Sequence, residues 1–420
     1  MTTSGYTESI TAAPRERRRL PRWWFAAALA AVLLALSILE SVTGANDLVS
    51  RGTVAATLIA IVPIMLAGLG GLWSERAGVV NIGLEGMMIL GTWGAGYFGY
   101  HYGAWAGVAG AIVMGMLGGL VHAVATVIFG VDHIISGVAI NIIALGAVQY
   151  LASLTFVGLP GGGQTQSPKI PDVQTINIDW IGDPLGELAA KDIFFISQLA
   201  ATAQALVTNL SLLVVLAMLL LVLTWWVLWR TSFGLRLRSC GESPSAAESL
   251  GVHVLRYKFA AVLISGGLAG LAGGFLAMVA SSNYRDGQTG GRGYIGLAAM
   301  IFGNWRPGGL LAGSGLFGYT ETLGLRQGGD SVHALLLALA VLAIAAAVWQ
   351  ARQQQQQRAA VITGLVAVGL GVLYFVIDEV PGDFTSMTPY VVTLLVLAFA
   401  SQRLRMPAAD GQIYRKGSAG

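Results

Sequence analysis

The residues of this chain that could do chemistry are concentrated in one stretch. From Gly68 to Gly91 the sequence is apolar and rich in glycine, yet it carries Glu75, Arg76, Asn81 and Glu85. Polar groups and interrupted helix are costly inside a bilayer, so where they occur they line a pathway or a helix contact. An amide can hydrogen-bond a polar solute without the penalty of a full charge. Asn81 and, further on, Asn141 are therefore candidate path residues together with Glu85. Each has a second reading. Asn141 could equally make an interhelical hydrogen bond, and Glu85 could pair with Arg76 or cap a broken helix. Glu75 and Arg76 read as structural groups at a membrane boundary.

Other chemistries find no support. The single Cys240 excludes an internal disulfide and a cysteine-cluster metal site, and five scattered histidines show no ligand spacing. There is no Gly-x4-Gly-Lys-Ser/Thr phosphate loop, and no Ser/His or paired-Asp arrangement at helical spacing. Asp132-His133 lies at a span end and reads as a polar connector. No catalytic residue, metal or cofactor is expected in this chain.

The elements that must position these residues are membrane helices. Apolar residues make up 55% of the chain, charged residues only 11%, and mean hydropathy is +0.69. A soluble domain holds about a quarter charged residues, whereas several runs here reach the roughly 20 apolar residues of a spanning helix. The fold class is an all-α polytopic membrane protein. Spans are expected at about 23–43, 53–73, 79–100, 104–129, 134–157, 206–229, 257–281, 307–325, 333–350, 359–377 and 388–401. A shorter apolar piece, 294–303, either crosses obliquely or re-enters with the helix after it. The total is about 11–12 transmembrane helices. The run from Trp23 is too long for a cleaved signal and lacks a small-residue cleavage site.

Charge sets one orientation by the positive-inside rule. Arg15, Arg17, Arg18, Arg19 and Arg22, the 230–258 loop with Arg230, Arg236, Arg238, Arg256 and Lys258, the connector at Arg352 and Arg358, and the tail with Arg403, Arg405, Arg415 and Lys416 all fall on one side. The 158–204 segment, rich in Asp and Glu, falls on the other, as do Asp378, Glu379 and Asp383. Both termini are thus expected in the cytoplasm.

Two further patterns stand out. Gly266, Gly270 and Gly274 recur every four residues, as do Gly115 and Gly119, and Gly309 and Gly313. This spacing puts them on one helix face, where a neighbouring backbone can approach, for packing or for transport motion. Ile82-Gly-Leu84 with Met87, Met88 and Gly91 is echoed by Ile295-Gly-Leu297 with Met300 and Gly303, in helices expected to run in opposite directions. The echo reads either as chance or as an inverted repeat around a central site. In the 230–256 loop, Ser243-Pro244-Ser245 followed by Ala246, Ala247 and Glu248 marks a helix start and Gly251 a stop. This short helix is either a connector or a docking element for a partner's groove.

Five blocks carry a family resemblance: Leu69–Gly86, Ser136–Gly146, Gly241–Gly251, Gly293–Gly308, and Pro407–Gly411 with Tyr414-Arg-Lys416. Through them the chain resembles the integral-membrane permease subunits of bacterial ABC importers, in the nucleoside and simple-sugar branch, with more distant similarity to branched-chain amino acid permeases. The resemblance implies a multi-pass protein of the bacterial inner membrane. It implies cytoplasmic ATP-binding subunits as the energy source, a second permease subunit (a paralogue or a second copy), and an extracytoplasmic substrate-binding lipoprotein. It also makes the 242–251 helix the ATPase coupling helix, with Glu242, Ala246, Ala247 and Gly251 in contact or shaping roles. A bulky charge at Ala246 or Ala247 is then expected to break coupling.

The organisation so read is a basic cytoplasmic segment 1–22, an additional first span 23–50, and a permease core 53–325. The core contains the extracytoplasmic segment 158–204 and the coupling loop 230–256. An inserted pair of spans 327–380, a last span 384–401 and a basic tail 402–420 complete it. The function that follows is translocation of a nucleoside or simple sugar. The alternative is an ion-gradient-driven transporter, for which Glu85 and His122 are the only candidate carriers well inside spans.

Overall fold

The computed structural model describes residues 24–377 apart from 46, 47, 192, 327, 354 and 355, and beyond them 380, 381, 385, 387, 391 and 404–415. The basic segment 1–22 and almost all of the expected last span lie outside the described residues. The regular elements among them are helices apart from one antiparallel pair of two-residue strands, β1 (Thr175–Ile176) and β2 (Leu210–Ser211). The helices are α1 (Trp24–Thr43), α2 (Arg51–Arg76), α3 (Leu84–Tyr102), α4 (Ala104–Ala123), α5 (His133–Thr155), α6 (Asp179–Ala189), α7 (Ile196–Ala205) and α8 (Leu212–Arg230). They continue with α9 (Ser232–Glu242), α10 (Pro244–Ser249), α11 (Val254–Phe275), α12 (Arg292–Phe302), α13 (Pro307–Arg326), α14 (Gly328–Ala351) and α15 (Gln357–Val376). Both α4 and α11 end in a wider π turn, Val124–Ile128 and Leu276–Ala280.

Seven of the described helices are long and apolar enough to cross a membrane: α2, α4, α5, α8, α11, α14 and α15. The expected total of about 11–12 counted α1, α3, α12 and α13 as well. With 11 residues, α12 is about 16 Å long, half the roughly 30 Å of a hydrocarbon core. It begins beside the middle of α2, where Gly296 stands against Ile64 and Gly68.

The core is α2, α3, α4 and α11 with α12 and α13 alongside. Glycine sets how closely they pack. The stripes Gly115–Gly119 and Gly266–Gly270–Gly274, legible separately in the sequence, face each other across α4 and α11. A Cβ on Gly266 would stand 2.5 Å from the Gly115 carbonyl oxygen, and one on Gly119 would stand 2.8 Å from the Val262 carbonyl oxygen. On α3, Gly91 abuts Gly270 in the same way. Gly309 and Gly313 pack on Gly303 and Ala299, closing α13 onto α12. Backbone contact of this kind replaces the hydrophobic driving force that is missing between helices in lipid.

The 158–204 segment folds as a cap containing α6 and α7, tied down by β1–β2 and by the hydrogen bond from the Ser167 amide to the Tyr284 carbonyl oxygen (3.0 Å). Asp132 is an N-cap, accepting from the Ile134 and Ile135 amides at 2.9 and 3.0 Å, which is the structural content of the polar connector expected there. The helices α14 and α15 pack chiefly on each other.

Replacing Gly270 by Val should lower the melting temperature of the purified protein in detergent. Overpacking of this kind costs about 1–3 kcal/mol or more, because a Cβ at Gly270 would meet the Ala111 oxygen of α4 at 2.2 Å. Gly146→Ala on α5, where a Cβ meets nothing within 4 Å, should leave it unchanged.

Candidate functional site at a break between helices

Between α2 and α3 the chain leaves the helix for residues 77–83 and runs back into the bundle. Gly78 turns the backbone at φ +82°. Of the carbonyls in this break only that of Gly83 has a helical partner, the Met87 amide (3.0 Å), and an unmet polar group away from water costs about 1–3 kcal/mol. The deficit is met by side chains from three different helices. Lys258 of α11 donates to the Gly78 oxygen (3.1 Å), His122 of α4 to the Val80 oxygen (3.1 Å), and Asn141 of α5 to the Ile82 oxygen (3.0 Å). With its proton on Nε2, neutral His122 accepts at Nδ1 from the Ser136 hydroxyl (2.9 Å).

The helix that follows starts without a cap of its own, since Gly83 has no side chain. Asn141 supplies one from α5: its Oδ1 accepts from the Gly86 amide at 2.7 Å. The start of α12 is similarly bare, with Gly291 in the left-handed region at φ 79°. Here Glu85 caps from α3, its Oε1 accepting from the Gly291 amide (2.9 Å) and its Oε2 from the Gly293 amide (2.7 Å). A carboxylate at a helix N-terminus also meets the positive end of the helix dipole. The contact is close: a Cβ on Gly293 would fall 2.7 Å from the Glu85 backbone. Thus α3 and α12, the two helices of the sequence echo, meet at their N-termini. They then run in opposite directions, α12 parallel to α2 and α3 antiparallel to α12, as the order of their glycine contacts shows.

Asn141 also donates to the Tyr294 hydroxyl (2.9 Å), and Tyr294 is 47% exposed. This opens the cluster to the outer face of α5, where Gln149 donates to Asp286 (3.0 Å). Asn81 lies deeper. It is fully buried, donates to the Ser265 hydroxyl (2.9 Å), and leaves its own oxygen without a partner. Glu85 therefore does not pair with Arg76. That guanidinium instead donates to the Trp305 carbonyl oxygen (2.7 and 3.1 Å) and faces Glu242 at 3.8 Å. Glu75 accepts from the Trp305 indole at 2.6 Å. Arg292 pairs with Glu321 of α13.

A second group of candidates lies on α9 and α10. Glu242 is exposed, Ala246 is exposed and Gly251 has φ +80°. Ala247 is buried, packed with Cys240, Val254 and Tyr414. It faces its own protein and not a partner, because a six-residue helix lying on the bundle must turn one side inward. Burial also pushes the Cys240 thiol up to about 11, so this cysteine is a packing group. Sequence reading missed Leu250, 85% exposed at the helix end. A large apolar residue beside the stop glycine was its signal. It missed Lys258 and Tyr294 too. Among the described residues no group of His, Cys, Asp and Glu could hold a metal ion.

Asn141→Leu should strand the Gly86 amide and the Ile82 carbonyl together and lower the melting temperature more than Glu85→Gln, which keeps one acceptor oxygen. Thermal unfolding in detergent, with half-buried Ser153→Ala on α5 as the control of small effect, measures the difference.

A family model described as the permease component of the branched-chain amino acid transport system matches residues 53–347. The guanosine ABC transporter permease protein NupQ of Bacillus subtilis is 32% identical over 374 residues, covering 87% of this chain and 96% of its own. The nucleoside ABC transporter permease protein NupC of Lactococcus lactis is 33% identical over 371 residues, covering 86% and 96%. A putative glucose ABC transporter permease protein, TsgC13 of Haloferax volcanii, is 31% identical over 373 residues, covering 87% and 98%. No solved structure matches the chain.

Proposed function

We propose a substrate and a division of labour for this chain from one premise: it belongs to the branched-chain amino acid transport permease family, as a multi-pass membrane subunit of an ABC importer and not an enzyme. Energy then comes from ATPase subunits. The substrate we assign is a nucleoside, passing along the side of the molecule where Asn141 and Tyr294 reach the surface beside α5. The observation that carries this is the polar cluster of Glu85, Asn141 and Tyr294 at the meeting point of two oppositely directed helix starts, half-way along α2. Amide and phenol groups at such a point can exchange hydrogen bonds with a base or ribose at little electrostatic cost. The guanosine and nucleoside transport for which NupQ and NupC are named supports a nucleoside over a sugar.

The exposed face of α5, with Ile135, Ile142 and Ile143 each more than half exposed, is the side we assign to a second permease subunit, so that the path runs between two chains. An extracytoplasmic lipoprotein would deliver the substrate on the side of α6 and α7. We assign α10 to the ATPase, with Ala246 and Leu250 as its outward contacts and Glu242 and Gly251 shaping its ends. The ion-gradient alternative is not favoured. Glu85 and His122, its candidate carriers, are both committed to backbone hydrogen bonds, and releasing either would strand buried amides or a carbonyl.

Proteoliposomes holding the whole transporter and loaded with ATP should take up radiolabelled guanosine and leave glucose outside. Uptake of glucose alone would reverse the substrate assignment. Leu250→Asp should weaken ATPase co-purification by about 30-fold or more, the loss of one interface anchor. Ala247→Arg should instead destabilise the permease itself, read as reduced yield of folded protein on size exclusion.

A further inference from the structure

The segment 404–415 returns to the bundle after the last expected span and lies across the junction of the two sites just described. The Ala409 amide donates to the Gly241 oxygen at 2.8 Å, the Ala408 amide to Glu242 at 3.3 Å, and the Arg405 amide to Asn304 at 2.7 Å. The Tyr414 hydroxyl donates to Glu248 of α10, and its ring packs with Ala247 and Cys240. On its other side the segment touches the helix break: the Ala409 oxygen lies within 3.2 Å of where a Gly78 Cβ would stand, and Gly411 packs on Val80. One short stretch therefore holds α10, the end of α9, the α12–α13 turn and the break 77–83.

Its anchor is Asp410, which is 8% exposed although it sits near the chain end. Neither of its oxygens meets a donor in good hydrogen-bond geometry. Its neighbours are the Glu75 carboxyl on α2, the Gly411 amide on its own segment, and the cations Lys258 on α11 and Arg76 on α2. Two buried carboxyls side by side hold together only while they share a proton.

We propose that residues 405–415 form a strap that couples α10 to the helix break, with Asp410 and Tyr414 as positioning residues, so that displacement of either end is passed to the other. This rests on the assignment of α10 to the ATPase. The strap is fastened at both ends: by a phenol-to-carboxylate hydrogen bond on α10 and, beside the break, by the Ala409 amide on the Gly241 oxygen and the burial of Asp410. Burial pushes the Asp410 carboxyl up to about 7. Its folded value lies above the ordinary carboxylate value of about 3.9, so the docked form retains a proton that a released strap gives up. Docking is strongest below about pH 4, weakens by at most tenfold per pH unit as pH rises towards 7, and levels off above that.

The test uses the complete transporter in lipid nanodiscs, with hydrogen exchange on the amides of 405–415 and ATP hydrolysis as separate readouts. Asp410→Ala and Tyr414→Phe should each speed exchange of the segment at least tenfold and slow ATP hydrolysis at least fivefold, with ATPase subunit stoichiometry unchanged. Asp410→Asn, which is neutral and nearly the same size, should keep wild-type hydrolysis. It should also lose the loosening of the strap that the wild type shows between pH 5 and 7, judged by comparing the two proteins at each pH. A segment that stays protected in Asp410→Ala and Tyr414→Phe overturns the proposal. So does a released segment with wild-type hydrolysis. Failure of the α10 assignment is distinguishable, since Leu250→Asp would then retain the ATPase subunit whatever the strap does.

Discussion

An exposed row of peptide groups cannot remain unmet inside a membrane protein, and the break at 77–83 places such a row between α2 and α3. Much of the core serves to satisfy it. Lys258, His122 and Asn141 come from three helices to three alternate carbonyls. Each helix must therefore stand within a hydrogen bond's length of the break, with the right residue at the right turn. The glycine stripes on α4 and α11 provide that closeness, since bulkier residues would hold those helices apart. Polar placement and small-residue packing are two sides of one constraint.

The same logic explains why α3 and α12 begin where they do. Neither start has a capping side chain of its own, and each borrows one across the bundle, Asn141 for α3 and Glu85 for α12. Borrowed caps tie the two helices into a single joint. The joint is rigid while the caps hold, and it is where a change in the relation between the two halves of the core must be felt. Glu85 is thus a fastening residue, and Asn141 and Tyr294 are the members of the cluster nearest the exposed side of α5.

Much of this was legible in the sequence. The polytopic all-α class follows from hydropathy and run length, and the start and stop of α10 from Ser243-Pro244 and Gly251. The special character of 68–91 follows from charges set among glycines. The resemblance carried by five ordered blocks agrees with the family that the chain belongs to. What could not be read were partnerships, because they join residues far apart in the chain. Glu85 is separated from Gly293 by 208 positions and Lys258 from Gly78 by 180. Nor does composition tell which side of a short helix faces in, which is why Ala246 and Ala247 looked alike. The missing caps were themselves a clue, for a helix whose cap position is Gly83 or Gly291 has no side chain there to meet its first amides and must be completed from elsewhere.

The paired stripes on α4 and α11 carry a geometric degeneracy. Notches that recur every four residues would fit equally well after a slide of one turn, about 6 Å, because glycine would again oppose glycine. Shape alone does not choose between those alignments. The break does, since His122 of α4 is bonded to Val80 and Lys258 of α11 to Gly78, and a one-turn shift of either helix would leave a carbonyl without its mate. Two side chains thus act as the index pins of an otherwise smooth rail.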